Sequence, residues 1–349
     1  MSTVGTLAQS LLVRNNISSI QDQLNTLQQQ VSSGLKTENY GGLGAQATLD
    51  INLRNQVDRL DAYNTDITSL QTRTGIVDQT LNSVHDATLD VRSTIIQNLN
   101  TASGNGTIVQ AAQQAIADIT NKLQANVDGR YLFAGTKTDQ LPMVASSTIL
   151  PQVQALIVNP ASPPGAPGVL QQAPTPANIP AAIQAAVSGF FATSSNYYSG
   201  GPAYPASHVD DGVTVNTSIT GDDPAVAQLL TGLYTLASLP QPVPDPATPP
   251  SLGQSDFNAT VQSASGLISS ALSGFETLIA QNGTNQKLLD TTQQDQQATL
   301  TLVKTQVDNI ENVDMAEAST RVTQLQTQLQ ASYELTALLK DLSLTNFLK

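Results

Sequence analysis

A mainly α-helical chain is predicted, with long antiparallel helical rods, paired terminal coiled-coil helices and a small mixed α/β or β insert domain. Three observations predict it. All eighteen prolines lie between Pro142 and Pro250, and a proline inside a helix removes a hydrogen bond and clashes with the preceding turn, at about 3 kcal/mol. The same window has no Lys or Arg, and its only charges are Asp210, Asp211, Asp222, Asp223 and Asp245. The proline-free arms on either side carry apolar residues at helical spacing out to both chain ends.

The first arm opens with Val13, Ile17, Ile20, Leu24, Leu27 and Val31, spaced 4, 3, 4, 3, 4, with mostly Gln, Asn, Ser and Asp between them. So narrow a stripe suits a coiled-coil seam better than a thick core. Ser32-Ser33-Gly34 breaks the helix and Gly41-Gly42-Leu43-Gly44 prolongs the break. A second helix is predicted from about Ala45 to Asn100, with Leu53, Val57, Leu60, Ile67, Leu70, Val77, Leu81, Val84, Val91 and Ile95 on one side and a slip near Tyr63. At 1.5 Å per residue it would be roughly 80 Å long, the length of a rod in a bundle. Asn105-Gly106 reads as part of a turn, then a third helix runs from about Thr107 to Val127, and Tyr131-Leu132-Phe133 reads as a short strand.

The centre is a different polymer. Pro163-Pro164 and Pro240 to Pro250 read as loops. Two short helices are predicted, Ile179–Phe191 and Pro224–Ala237, with a turn at Asp211-Gly212 leading into a strand through Val213 and Val215. The second arm mirrors the first. Val261, Ala264, Ile268, Leu272, Phe275 and Ile279 mark a helix, Asn282-Gly283 a break, and Leu300, Val303, Val307 and Ile310 a further stripe. The last stretch carries Val322, Leu325 and Leu329, then, after a phase shift, Leu335, Leu338 and Leu342. The division expected is 1–40 with 313–349 as paired terminal helices, 41–140 with 256–312 as a rod domain, and 141–255 as a Pro-rich surface insert, dispensable for the fold of the rods. The terminal stripes are marginal alone, so Val13, Ile17, Ile20, Leu24, Leu27, Val31, Val322, Leu325, Leu329, Leu335, Leu338 and Leu342 are the expected assembly interface.

Composition narrows the function. A net charge of −13 repels phosphate and argues against a nucleic-acid partner. No basic amphipathic stretch or run of eighteen apolar residues argues for a membrane. Met1 to Leu12 lacks the basic residues that precede the apolar stretch of a secretory leader, so no cleaved signal is expected. Without cysteine there is no disulfide or thiol chemistry. His85 and His208 are isolated in sequence, and Asp210-Asp211 and Asp222-Asp223 lack the calcium-loop pattern and suit turns better. Gly34, Gly41, Gly42 and Gly44 follow no strand and precede no Lys-Ser/Thr pair, so they form no phosphate loop. No catalytic residue, metal site or cofactor is expected, and the chain reads as structural rather than enzymatic.

Specific segments then point to a family. Ser32-Ser33-Gly34-Leu35-Lys36 resembles the step that ends the first helix in the bacterial flagellin superfamily, and Ile310-Glu311-Asn312-Val313-Asp314-Met315-Ala316-Glu317-Ala318 is similar to the segment that opens its last helix. The resemblance covers both arms, roughly 240 residues. Gly129-Arg130-Tyr131-Leu132-Phe133-Ala134-Gly135-Thr136-Lys137-Thr138 and the ending Leu342-Ser343-Leu344-Thr345-Asn346-Phe347-Leu348 resemble the hook-associated branch that joins hook to filament. One departure stands out: Thr37-Glu38-Asn39-Tyr40-Gly41-Gly42-Leu43-Gly44-Ala45 replaces the family's Asn/Ser-Asp-Asp-Pro/Ala-Ala stretch. The resemblance implies a structural subunit exported through the flagellar type III channel to the extracellular flagellum. Its implied partners are further copies of itself, a neighbouring hook-associated protein, flagellin and a flagellar export chaperone. A filament flagellin is the alternative inside the family. A secreted coiled-coil adhesin or a secretion-needle subunit is the alternative outside it, and adhesin stalks would pair like ends across chains.

Overall fold

The computed structural model describes residues 2–99, 101, 104–158, 168–171, 178–242 and 251–347, with side chains for all of these except 2–10 and 339–347. The described chain is mainly helical: α1 (Ser2–Ser33), α2 (Ala47–Asn98), α3 (Gly104–Lys122), α4 (Ser146–Ile157), α5 (Ile179–Phe191), α6 (Pro224–Ala237), α7 (Gln254–Glu311) and α8 (Met315–Phe347). Two short antiparallel hairpins join them, β1 (Asn126–Val127) with β2 (Arg130–Tyr131), and β3 (Ser207–Asp210) with β4 (Val213–Val215). The chain forms two compact units, residues 1–62 with 296–349, and residues 63–295; α2 and α7 contribute to both.

In the first unit α1 lies antiparallel to α8, and the start of α2 runs antiparallel to the end of α7. Leu53 of α2 packs with Val303, Val307 and Ile310, with Leu43 and Val57 at the edge. A seven-residue 3₁₀ segment, Tyr40–Gln46, leads into α2, with Gly44 at φ 56, a left-handed value that glycine adopts without a Cβ penalty.

In the second unit α3, α4, α5 and α6 surround one core together with parts of α2 and α7. Its members run from Val77, Leu81 and Ile95 through Ile108, Ile119, Ile149 and Val187 to Tyr234, Phe257, Ile268 and Phe275. Phe191 joins Tyr197 and Tyr234 with ring centroids 5.4 and 5.3 Å away. The helix starts are local. Asn178 Oδ1 accepts the Ala181 N–H at 3.1 Å and Asp223 Oδ1 accepts the Ala225 N–H at 2.9 Å, each beside a proline at the first or second helical position. Those caps and prolines set the bounds predicted for α5 and α6. The β3–β4 hairpin turns at Gly212 (φ +84), and its Val209 and Val215 pack against Ile67, Leu70 and Leu289.

Four expectations are corrected. The proline-rich window does not stand apart from the rods, because α4, α5 and α6 supply much of the core that α3 and α7 bury into. Pro151 sits inside α4, whose Ile149, Val153 and Ile157 are buried at helical spacing; burial of that face outweighs one lost hydrogen bond. Asn282-Gly283 does not break α7, since Asn282 is 1 % exposed and its Nδ2 donates to the Thr74 carbonyl of α2 at 2.9 Å. Asn105-Gly106 lies in the first turn of α3 rather than in a turn before it. In smaller differences, the strand sits at Arg130–Tyr131 while Leu132, Phe133 and Ala134 form a buried turn, and His208 lies on β3. His85 Nε2 lies 3.8 Å from Glu276 on α7. Among the described residues no group of three His, Cys, Asp or Glu is placed to hold a metal ion.

Candidate functional site

The two ends of the chain meet where α1 stops. α1 ends at Ser33, and Gly34 takes φ +75 while its N–H bonds the Gln30 carbonyl at 2.8 Å. A residue in this left-handed conformation closes helices commonly, and glycine suits it best. The chain then pairs with the segment between α7 and α8. Lys36 N–H donates to the Glu311 carbonyl at 2.6 Å, Val313 N–H to the Gly34 carbonyl at 2.9 Å, and Leu35 bridges Asn312. Lys36 Nζ donates to the Asn309 and Ile310 carbonyls at 2.6 and 3.0 Å. A cation thus neutralises the carbonyl end of α7. Asp314 caps α8, its Oδ1 accepting from Ala316 and Glu317 N–H at 2.9 and 3.1 Å. Four positions in the two quoted segments thus have a local job here: Gly34 as a left-handed closure, Lys36 as a cation on helix carbonyls, Leu35 as a main-chain bridge and Asp314 as an N-cap.

From that joint α1 and α8 run side by side. Val13, Ile17, Ile20, Leu24, Leu27 and Val31 are each half-buried, as are Val322, Leu325 and Leu329. Leu335 and Leu338 are 58 % and 59 % exposed, so among the described residues nothing covers their stripe; the side chain of Leu342 lies outside the described residues. Gln21 Nε2 donates to Tyr333 Oη at 2.9 Å and ties the outer reach of the pair. An open groove of about 590 Å³ follows the seam, lined by Leu27 and Leu325 together with Gln23, Gln30, Gln324 and Gln328. Two helices cover only one side of each apolar side chain. A third surface laid on this seam would bury the remaining half, worth roughly 1 kcal/mol per Leu, Ile or Val. Unlike ends pairing within one chain also speaks against a stalk built from like ends.

Behind the joint lies a charged cluster that the periodicity of α2 conceals. Stepping back from Leu53, Val57 and Leu60 by the same spacing lands on Asp50, an acid in a seam position. Its side chain is fully buried, with its carboxylate 3.7 Å from Arg54 Nε. Arg54 grips both carboxylate oxygens of Glu311, its Nε donating to Oε1 at 2.6 Å and its Nη2 to Oε2. Burial first, and the neighbouring Glu311 second, hold the Asp50 carboxyl above its ordinary range, while the Arg54 hydrogen bonds hold Glu311 below. The signs oppose. Asp50 contributes stability that is full below its unfolded pKa and is lost as pH rises through its raised folded value; Glu311 contributes above its unfolded pKa and loses it as pH falls. Asp50→Asn should therefore leave stability unchanged in acid and raise the midpoint of urea unfolding at neutral pH. Urea titrations of both proteins across pH 3 to 8 check this, and equal midpoint differences throughout would refute it.

In the second unit, the exit from β2 is locked by main-chain contacts. Phe133 and Ala134 are fully buried. The Ala134 carbonyl accepts Gly201 N–H, the Pro202 carbonyl accepts Thr136 N–H, and the Phe133 carbonyl accepts Gly221 N–H, each at 2.9 Å. Between them Gly135 has φ +55, and a Cβ there would lie 2.3 Å from the Gly201 oxygen and 2.4 Å from that of Pro202. The glycine is required by both conformation and space.

Two family models match the chain. The bacterial flagellin N-terminal helical region matches residues 4–138 and the C-terminal helical region matches residues 266–348. No curated protein matches it. Among solved structures, one described as a flagellar hook-associated protein from Vibrio parahaemolyticus aligns with a TM-score of 0.51 at 15% identity, over 76% of this chain and 97% of that one. The structure of Bacillus cereus FlgL aligns with a TM-score of 0.39 at 11% identity, over 76% of this chain and 98% of that one. At 15% identity the Vibrio likeness concerns the fold alone.

Proposed function

This chain belongs to the bacterial flagellin family, and we propose that within the flagellum it joins the hook to the filament, assembling as a ring of copies through its terminal helices. Family membership supports a self-associating structural subunit of the extracellular flagellum, and structural proteins of this family are not enzymes. The reading of a hook-associated protein 3 goes further. The observation that carries the assembly half is the open seam: nine half-covered apolar side chains on α1 and α8, with Leu335 and Leu338 exposed beyond them. The junction half is supported by the Gly129–Thr138 segment, whose glycine is demanded by the locked exit from β2, and by the hook-associated description of the Vibrio structure. Neighbouring hook-associated protein and flagellin would sit above and below the ring. An export chaperone would cover the seam before passage through the type III channel.

Electron microscopy of a deletion strain tests the junction. Intact bare hooks, with flagellin secreted but unattached, are expected; attached filaments lacking only this subunit would assign it to the filament instead. The seam has its own test in Leu24→Asp and Leu325→Asp. A carboxylate buried without a partner costs several kcal/mol at every subunit contact, so incorporation into flagella should fail. The monomer should lose no more than about 1 kcal/mol, since both sites are half-open to water. Retained incorporation with a large fall in monomer melting temperature would place these residues in an internal core.

A further inference from the structure

The second unit carries two complementary surfaces on opposite faces of α2. On one face lies the tip of the β3–β4 hairpin, where the Tyr63 hydroxyl donates to Asp211 Oδ1 at 3.3 Å. Asp211 is exposed and Asp210 half-exposed, and these are two of the five charges in a 109-residue window that has no cation. On the other face is an open groove of about 620 Å³, lined by Thr68, Ser69, Thr72 and Arg73 of α2, by Asp128 of the β1–β2 turn and by Arg130 of β2. Thr68 and Thr72 donate their hydroxyl protons back to the Asn64 and Thr68 carbonyls, and the Thr68 oxygen also accepts from Gln293 Nε2 at 3.2 Å, which leaves the Thr72 oxygen as an acceptor. Arg73 is steadied over the Tyr204 ring, 5.2 Å from its centroid, and Arg130 Nε donates to Thr138 Oγ1 at 3.4 Å. Against Asp128, the two arginines leave the groove with a net positive charge in a chain whose net charge is −13.

Tyr63 and Thr72 are nine residues apart, so at 100° per residue they stand half a turn from each other. A copy cannot fill its own groove with its own hairpin tip. Nine residues rise about 13.5 Å, so tip and groove are offset by roughly two and a half turns along the helix. We propose that the groove receives the Asp210–Asp211 tip of a neighbouring copy, with Arg73 and Arg130 taking the carboxylates and the Thr72 oxygen accepting a main-chain N–H group of the turn. Such a contact joins unlike surfaces, and a head-to-tail contact of this kind closes into a ring when its rotation allows. It rests on the assembly reading above, and adds to the terminal seam a polar contact that sets the order of neighbours.

The absence of cysteine makes the test clean. Flagella are isolated from cells producing the full chain with Ser69→Cys and Thr214→Cys together, or with either alone, and treated with a short bis-maleimide; Thr214 is exposed on β4 beside the tip and leaves both carboxylates in place. Dimers, trimers and higher species are expected from the double variant, and no ladder from the single ones. Arg130→Glu should lower incorporation about tenfold, the equivalent of one lost charge pair, and adding Asp211→Arg should restore most of it. If the double cysteine variant is incorporated and gives no ladder, the groove contact is wrong while the assembly reading stands. A cross-link confined to single chains also overturns it. If even the unmodified chain is missing from isolated flagella, the assembly reading fails and this contact falls with it.

Discussion

Gly135→Ala should lower the melting temperature of the unit formed by residues 63–295 by roughly 10 °C. A left-handed backbone costs a non-glycine residue about 1–2 kcal/mol by itself. The new Cβ would also lie 2.3 and 2.4 Å from two main-chain oxygens, those of Gly201 and Pro202. Main chain cannot swing aside as a side chain can. Relieving the contact means parting residues 133–136 from 201–202, with the loss of the hydrogen bonds from Gly201 and Thr136 and loosening of buried Phe133. The sum is on the order of 3–5 kcal/mol, and a unit of this size loses about 2–4 °C per kcal/mol. Gly189→Ala is the control, since nothing lies within 4 Å of its Cβ position inside α5; it should be neutral or stabilising by up to about 1 kcal/mol. Calorimetry on both variants decides. Equal melting temperatures would mean that the Phe133–Thr136 turn moves freely, and the physical reason offered for the glycine in that motif would fail.

How much of this could be read beforehand depends on what a stripe of apolar residues encodes. Spacing encodes a face, and every face read in α1, α2, α3 and α7 is turned toward packing in the structure. It does not encode a partner. Ile108, Ala112, Ala115 and Ile119 are buried as expected, yet α3 packs against α6, 100 residues further on. Charge and proline content misled about the centre for a related reason. They report what a segment avoids, and α6 has neither cation nor internal proline because it is buried, not because it is a loose appendage. Pro151 and Asn282 show the same limit from the other side. Each is a helix breaker by local rule, and each is overruled by burial: Ile149, Val153 and Ile157 in the first case, the bond to the Thr74 carbonyl in the second. At the candidate site, the α1 stripe and the Ser-Ser-Gly step were legible. Asp50 and its link through Arg54 to Glu311 were not, because the partners are 257 residues apart.

Replacing residues 142–250 with a short Gly/Ser linker should abolish cooperative unfolding of the 63–295 unit, although composition alone suggests a harmless deletion. Loop closure is not the obstacle, since its entropy depends weakly on length. The obstacle is α6, of whose 14 residues Ala225, Val226 and the whole run Leu229–Ala237 are buried. A helix buried on nearly every side is the middle of a core. Its removal, with α4 and α5, would uncover Ile108, Ile116, Ile119, Leu123, Val261, Ile268 and Phe275, all at most 2 % exposed. At about 1.5–3 kcal/mol for each side chain, that is roughly 10–20 kcal/mol, as large as the whole stability of an ordinary domain. The surviving pieces of α2, α3 and α7 should then be cut by protease within the 63–295 unit, while the Leu53–Val303–Val307–Ile310 cluster keeps its protection. Gly232→Val asks the same question without deleting anything. Its Cβ would meet Ile268 Cγ1 at 2.8 Å and the Ala264 carbonyl at 3.0 Å, so α6 and α7 must separate and the unit should lose on the order of 2–4 kcal/mol. A sharp, native-like melt from the deletion, together with an unaffected Gly232→Val, would mean that the rods hold a core of their own and the insert merely rests on it.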